Sequence, residues 1–191
     1  MKKLCIHFLL ALLVLTGCSS TGSCLDLQYS IVESSEHYRI FTDCNNNTWY
    51  SINDSSGKNV LTEQVNGPIS ITMLNDDVVA ISVGKGTGIS EKKYYSISRN
   101  LLSQTYTYVI ANYEELVAYI DISKQCPMEN RKIVIQNIFD KQSMNKEFGL
   151  DFSTIDAPVV HAQFIESGTV LQIEYLSAPS DISKIAYLSL D

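Results

Sequence analysis

From Leu25 to Leu190 the hydrophobic pattern repeats with a period close to two. "LDLQYSIVE" (Leu25–Glu33), "HYRIFTD" (His37–Asp43) and "TWYSIND" (Thr48–Asp54) alternate apolar and polar residues and are rich in Ile, Val, Tyr and Thr. Successive side chains of an extended chain point to opposite faces, so this pattern buries one face and wets the other. Residues suited to tight turns separate the runs: Ser34-Ser35-Glu36, Asn45-Asn46-Asn47, Ser55-Ser56-Gly57-Lys58 and Asn75-Asp76-Asp77. Further runs cover Pro68–Leu74, Val78–Gly84, Lys93–Arg99, Ser103–Ala111, Glu115–Ile122, Lys132–Ile138, Val159–Ser167, Thr169–Ser177 and Lys184–Leu190. The single helix candidate, Ile138–Gly149, is polar and weakly periodic. The chain therefore reads as all-β, an antiparallel meander of about a dozen short strands.

A faint internal repeat refines that reading. Trp49-Tyr50-Ser51-Ile52 and Tyr94-Tyr95-Ser96-Ile97 match closely, and "KIVIQNIFDKQS" and "KIAYLSL" are weaker third and fourth copies at irregular spacing. Repeats of about 40–45 residues with up to four strands suit the blades of a small β-propeller-like fold. A β-sandwich or barrel is the alternative, because half-buried strands favour Tyr-x-Ile on their own account. No domain boundary is visible between residues 24 and 191, and Asp151–Pro158 reads as a loop.

The first 23 residues are different. Met1-Lys2-Lys3 is positive, Leu4–Leu15 is apolar and too short for a comfortable membrane span, and Leu15-Thr16-Gly17-Cys18 ends it. This boundary resembles the lipobox of bacterial lipoproteins: leucine, small residues, then the cysteine. The resemblance covers only this segment. It implies a signal peptide over residues 1–17, a diacylglycerol on Cys18, and a short polar tether over residues 18–23. A further acyl chain on the new amino terminus would make the anchoring stable. The implied location is the cell membrane or outer membrane, lipid-anchored, on the extracytoplasmic side, with the bilayer as partner through acylated Cys18.

Charge excludes one class of partner. Losing Lys2 and Lys3 takes the formal net charge from −7 to −9. With no basic cluster to offset it, the body repels phosphates, so nucleic acid is not an expected partner.

Candidate catalytic and binding groups are sparse. His37 and His161 sit in separate strands without flanking motifs, and no Gly-x-Ser-x-Gly elbow nominates a serine. "GKGTG" (Gly84–Gly88) lacks the ending and helix of a phosphate loop and reads as a hairpin. Asp43-x-Asn45-x-Asn47 starts a calcium-loop pattern but lacks its later glycine and glutamate. No cofactor or metal is expected. Asp76-Asp77 and Glu114-Glu115 are the carboxylate pairs a glycoside hydrolase would need. After processing, Cys24, Cys44 and Cys126 remain. The start of a first strand and the end of a second share a hairpin edge, so Cys24–Cys44 is the expected disulfide.

The expected function is that of an extracytoplasmic binding or interaction module with a protein or carbohydrate partner. The alternatives are a carbohydrate-active hydrolase using paired carboxylates, and a structural or assembly lipoprotein.

Overall fold

A computed structural model describes residues 29–86, 88–122, 131–153 and 158–191. The leader, Cys18, the tether, Cys24, Thr87 and Cys126 lie outside the described residues.

Sixteen strands form four antiparallel sheets in chain order among the described residues. The first sheet comprises β1 (Ser30–Ser34), β2 (Tyr38–Thr42), β3 (Thr48–Asn53) and β4 (Asn59–Val65). The second comprises β5 (Ile69–Met73), β6 (Val78–Gly84), β7 (Ser90–Ser96) and β8 (Leu101–Leu102), with β9 (Tyr106–Thr107) also paired to β7. The third comprises β10 (Val109–Tyr113), β11 (Leu116–Asp121), β12 (Lys132–Asn137) and β13 (Asn145–Gly149). The fourth has three strands, β14 (Val159–Ile165), β15 (Val170–Ser177) and β16 (Ile182–Ser189). Every sheet is an up-and-down meander and none closes into a barrel. Among the described residues no helix is long and apolar enough to cross a membrane.

Burial explains the stacking. "VVAI" at the start of β6 is apolar at every position because both faces of its sheet are covered. Val79 and Ile81 join Tyr38, Ile40, Tyr50, Ile52 and Tyr95 between the first and second sheets. Val78 and Ala80 join Tyr94, Tyr106 and Val117 between the second and third. Ile133, Ile135, Leu171, Ile173 and Phe152 fill the space between the third and fourth. Each fully buried Ile or Leu side chain contributes about 1.5–3 kcal/mol, so these three layers dominate stability. Among the described residues no buried cluster joins the first sheet to the fourth.

All four repeat segments fall on the third strand of a sheet: β3, β7, β12 and β16. Their side chains do not all face the same way. Tyr50 and Ile52 of β3 face the second sheet, whereas Tyr95 and Ile97 face back into that same layer. The residue of β7 directed toward the next sheet is Tyr94. A one-residue offset exchanges the two faces of a strand, so likeness in sequence does not fix direction.

Several expectations need correction. The run Ser103–Ala111 is two strands belonging to different sheets, β9 and β10, broken at Tyr108, whose φ is 53°. The helix candidate Ile138–Gly149 is not helical. It contains a turn and then β13, whose partner β12 supplies its ladder. β4, β8 and β13 fall outside the alternating runs of the sequence: β4 and β13 are rich in polar residues, and β8 is two residues long. The described residues of the Asp151–Pro158 loop belong to no strand or helix, though Phe152 is fully buried and bridges to Ser177.

Candidate functional site

Two arrangements bring polar side chains together across sheets. The first lies at the hairpin turns of the second and third sheets. Asn75 Oδ1 accepts the amides of Asp77 and Val78, at 2.8 Å each, which fixes the β5–β6 turn. Asp77 then accepts Ser96 Oγ at 2.7 Å and the Ser98 amide at 2.6 Å. Arg99 Nε donates to Ser96 Oγ at 3.0 Å, while its terminal nitrogens reach Glu115 and, at 4.0 Å, Asp77. Asn137 donates to Glu115 at 3.3 Å, and the guanidinium lies 4.6 Å from the Phe139 ring centroid. Burial pushes the Asp77 carboxyl up, but the Ser96 and Ser98 hydrogen bonds and Arg99 outweigh it, leaving it below the usual range.

The structure thus draws one carboxylate from each sequence pair, Asp77 and Glu115, to a single cation. A hydrolase needs an acid held protonated opposite a base across a cleft. Here Asp77 is held in its charged form by its hydrogen bonds, and both carboxylates share the single charge of Arg99. The arrangement braces two sheets.

The second arrangement is a cavity of about 490 Å³ where ends of the second, third and fourth sheets meet. Ile89, Val109, Ile110, Ile120 and Val159 supply apolar walls. The left-handed turn at Tyr108 carries the chain from β9 to β10, and the Tyr108 carbonyl accepts the Ile120 amide at 3.1 Å. That turn makes the corner of the cavity. Antiparallel pairing of Asp121 with Lys132 brings Arg131, just before β12, to the same end. Arg131 lines the cavity, is only partly exposed, and pairs with no described carboxylate.

A smaller cavity of about 190 Å³ between the first and second sheets differs in its charge balance. Glu63 accepts the Tyr50 hydroxyl at 2.6 Å and Lys93 Nζ at 2.9 and 3.0 Å. Lys85 pairs with Glu91 at 3.0 Å. Burial, and then the Glu63 bond, push the Tyr50 hydroxyl far up. Each charge there is already answered from within the chain.

The other sequence candidates are dispersed. Asp43 accepts the Asn45 and Asn47 amides at 2.8 and 2.9 Å, Asn47 Nδ2 at 3.0 Å and Trp49 Nε1 at 3.0 Å. Its oxygens are occupied by donors of its own loop. The Asn47 bonds in particular hold the carboxyl at about 2. Among the described residues no group of three or more His, Cys, Asp or Glu could hold a metal. Gly84 ends β6, and Lys85 and Ile89 exchange hairpin contacts, with the Lys85 amide donating to the Ile89 carbonyl at 2.9 Å. His37 is in the first sheet's β1–β2 connection, its Nδ1 buried without a partner among the described residues, and His161 is exposed on β14 opposite Glu174. Cys44 lies in the turn after β2 and is disulfide-bonded. Cys24 and Cys126, its candidate partners, lie outside the described residues.

Sequence reasoning missed Arg131 and Tyr108. Arg131 is one of only three arginines, and no spacing motif marked it. Neither a protein-family model nor a curated protein matches this chain.

Proposed function

We propose that the chain is a lipid-anchored bacterial lipoprotein whose body binds a small ligand with an apolar frame and an anionic group. The ligand occupies the cavity lined by Arg131. The anchor reading rests on Leu15-Thr16-Gly17-Cys18, and it puts the body on the extracytoplasmic side of the cell membrane or outer membrane.

One observation carries the binding reading: a guanidinium without a described carboxylate partner beside the apolar side chains of a cavity, in a chain rich in carboxylates. The cavity volume is in the range of small-ligand sites, about 300–1,000 Å³. The apolar side chains suit a ligand's hydrocarbon frame, and the guanidinium supplies a charge-assisted hydrogen bond to its anionic group. The paired-carboxylate hydrolase has no such support, because Asp77 and Glu115 are tied to Arg99.

Two experiments test the two parts. Replacing Cys18→Ser should move the protein from the detergent phase to the aqueous phase; retention in the detergent phase contradicts the anchor. For the ligand, anilinonaphthalene sulfonate should bind saturably and be displaced by decanoate more readily than by decanol. Equal displacement by the uncharged alcohol contradicts the anionic preference.

A further inference from the structure

We infer that β16 is a docking edge for a second copy of this chain, the two β16 strands pairing antiparallel about Ala186. Among the described residues the first three sheets each contain four meander strands in sequence, whereas the fourth contains three. Its third strand, β16, corresponds by position to β3, β7 and β12, each of which has a further strand beside it. Among the described residues β16 pairs with β15 alone.

An uncovered edge presents unpaired amides and carbonyls, and proteins blunt such edges with bulges, charges, proline or short length. Three other edges, β1, β8 and β13, carry such devices. β1 has a register shift between Ile31 and Glu33, β8 is two residues long, and β13 carries Lys146 and Glu147. β16 has eight residues, eight consecutive unshifted pairs with β15, no proline and a single charge, Lys184. It also exposes Ile182, Ile185 and Tyr187, at 60%, 57% and 62%. Lys184 Nζ donates to Asp151 at 2.5 Å, and Lys146 Nζ donates to the Leu190 and Asp191 carbonyls at 2.5 and 2.8 Å. These bonds hold both ends of the strand in place.

A second β16 fits this edge. A two-fold axis presents the same strand in antiparallel orientation, the sense used throughout the molecule. Centred on Ala186, the pairing sets Ile185 opposite Tyr187 of the second copy, twice over. Aromatic and β-branched partners directly opposite each other are a favourable cross-strand combination. Lys184 meets Leu188 and Ser183 meets Ser189, so no like charges face each other. The two three-stranded sheets become one of six strands.

Sedimentation velocity on the full chain in mild detergent tests this, independently of what the cavity binds. The expected result is a dimer, converted to monomer by Ile185→Lys and by Tyr187→Lys. Both side chains are exposed, so circular dichroism and thermal unfolding of each variant should show the fold retained. The Ile185→Cys/Tyr187→Cys double variant should give a covalent dimer whose disulfide joins position 185 of one copy to position 187 of the other. A monomeric wild-type chain, a dimer that survives both lysine substitutions, or a covalent dimer linked elsewhere overturns the inference.

Discussion

Asp77 and Glu115, from hairpin turns of neighbouring sheets, share one guanidinium, that of Arg99. Removing it leaves both carboxylates without their shared cation and strips the Phe139 ring of its guanidinium. Arg99→Ala should therefore destabilise the fold by about 1–2 kcal/mol in urea titrations, summing partly exposed ion pairs and a cation–π contact. Asp76→Asn, at the exposed neighbour, should change stability by no more than about 0.5 kcal/mol. Equal effects would show that Arg99 does not brace the sheets.

Asp43 makes stability depend on acid. Its carboxyl titrates at about 2 in the folded chain, below the usual 3.8, chiefly because Asn47 donates to it. A depressed carboxylate stabilises the fold above its unfolded value and loses that contribution as pH falls through the folded one. Asp43→Asn should be less stable than wild type at neutral pH, with the difference closing as pH falls from 3.8 toward 2. Trp49, the only tryptophan, donates its indole N–H to Asp43 and reports the titration by fluorescence. A stability difference unchanged across that window would contradict the role given to Asp43.

Much of this fold is written in the chain. Alternation at Tyr38–Thr42 and Thr48–Asn53, closed by Asx-type turns, yields strands where expected, and the Tyr-Ser-Ile resemblance marks third strands. What alternation cannot reveal is context. β13, "NKEFG", has no apolar stripe wide enough to announce a strand and exists because β12 offers it a ladder. Tyr108 carries no turn residue's signature, yet it separates two sheets. The cavity was illegible for a similar reason. Its walls come from four separate stretches, and Arg131 gains meaning only when the ends of three sheets meet.

Gly67 is required by its neighbours. Its φ is 143°, and a Cβ there would sit 2.2 Å from the Gly84 carbonyl oxygen. Gly67→Ala should cost about 2–4 kcal/mol, combining backbone strain with a steric clash that rigid backbone cannot relieve. Gly57, φ 78° with open space around it, carries only the conformational penalty, about 1 kcal/mol for alanine. Thermal unfolding of both variants checks the ordering, and a Gly57 cost equal to the Gly67 cost would refute the close approach.

Cys44 is disulfide-bonded, and Cys24 is its expected partner. A link closing the roughly 20 residues between them stabilises by about 3 kcal/mol if unstrained. Non-reducing peptide mapping should recover a Cys24–Cys44 peptide. A Cys44–Cys126 peptide would reject the pairing and tie the first sheet's turn to a much later connection.

The binding proposal stands on Arg131. The most direct test is calorimetric titration of decanoate into the wild-type chain and into Arg131→Gln. A charge-assisted hydrogen bond contributes about 1.5–3 kcal/mol, so the substitution should weaken binding by roughly ten- to a hundredfold. Decanol, which lacks the charge, should bind both forms alike. Decanoate binding unchanged in Arg131→Gln, in a variant that unfolds like wild type, would contradict the proposal.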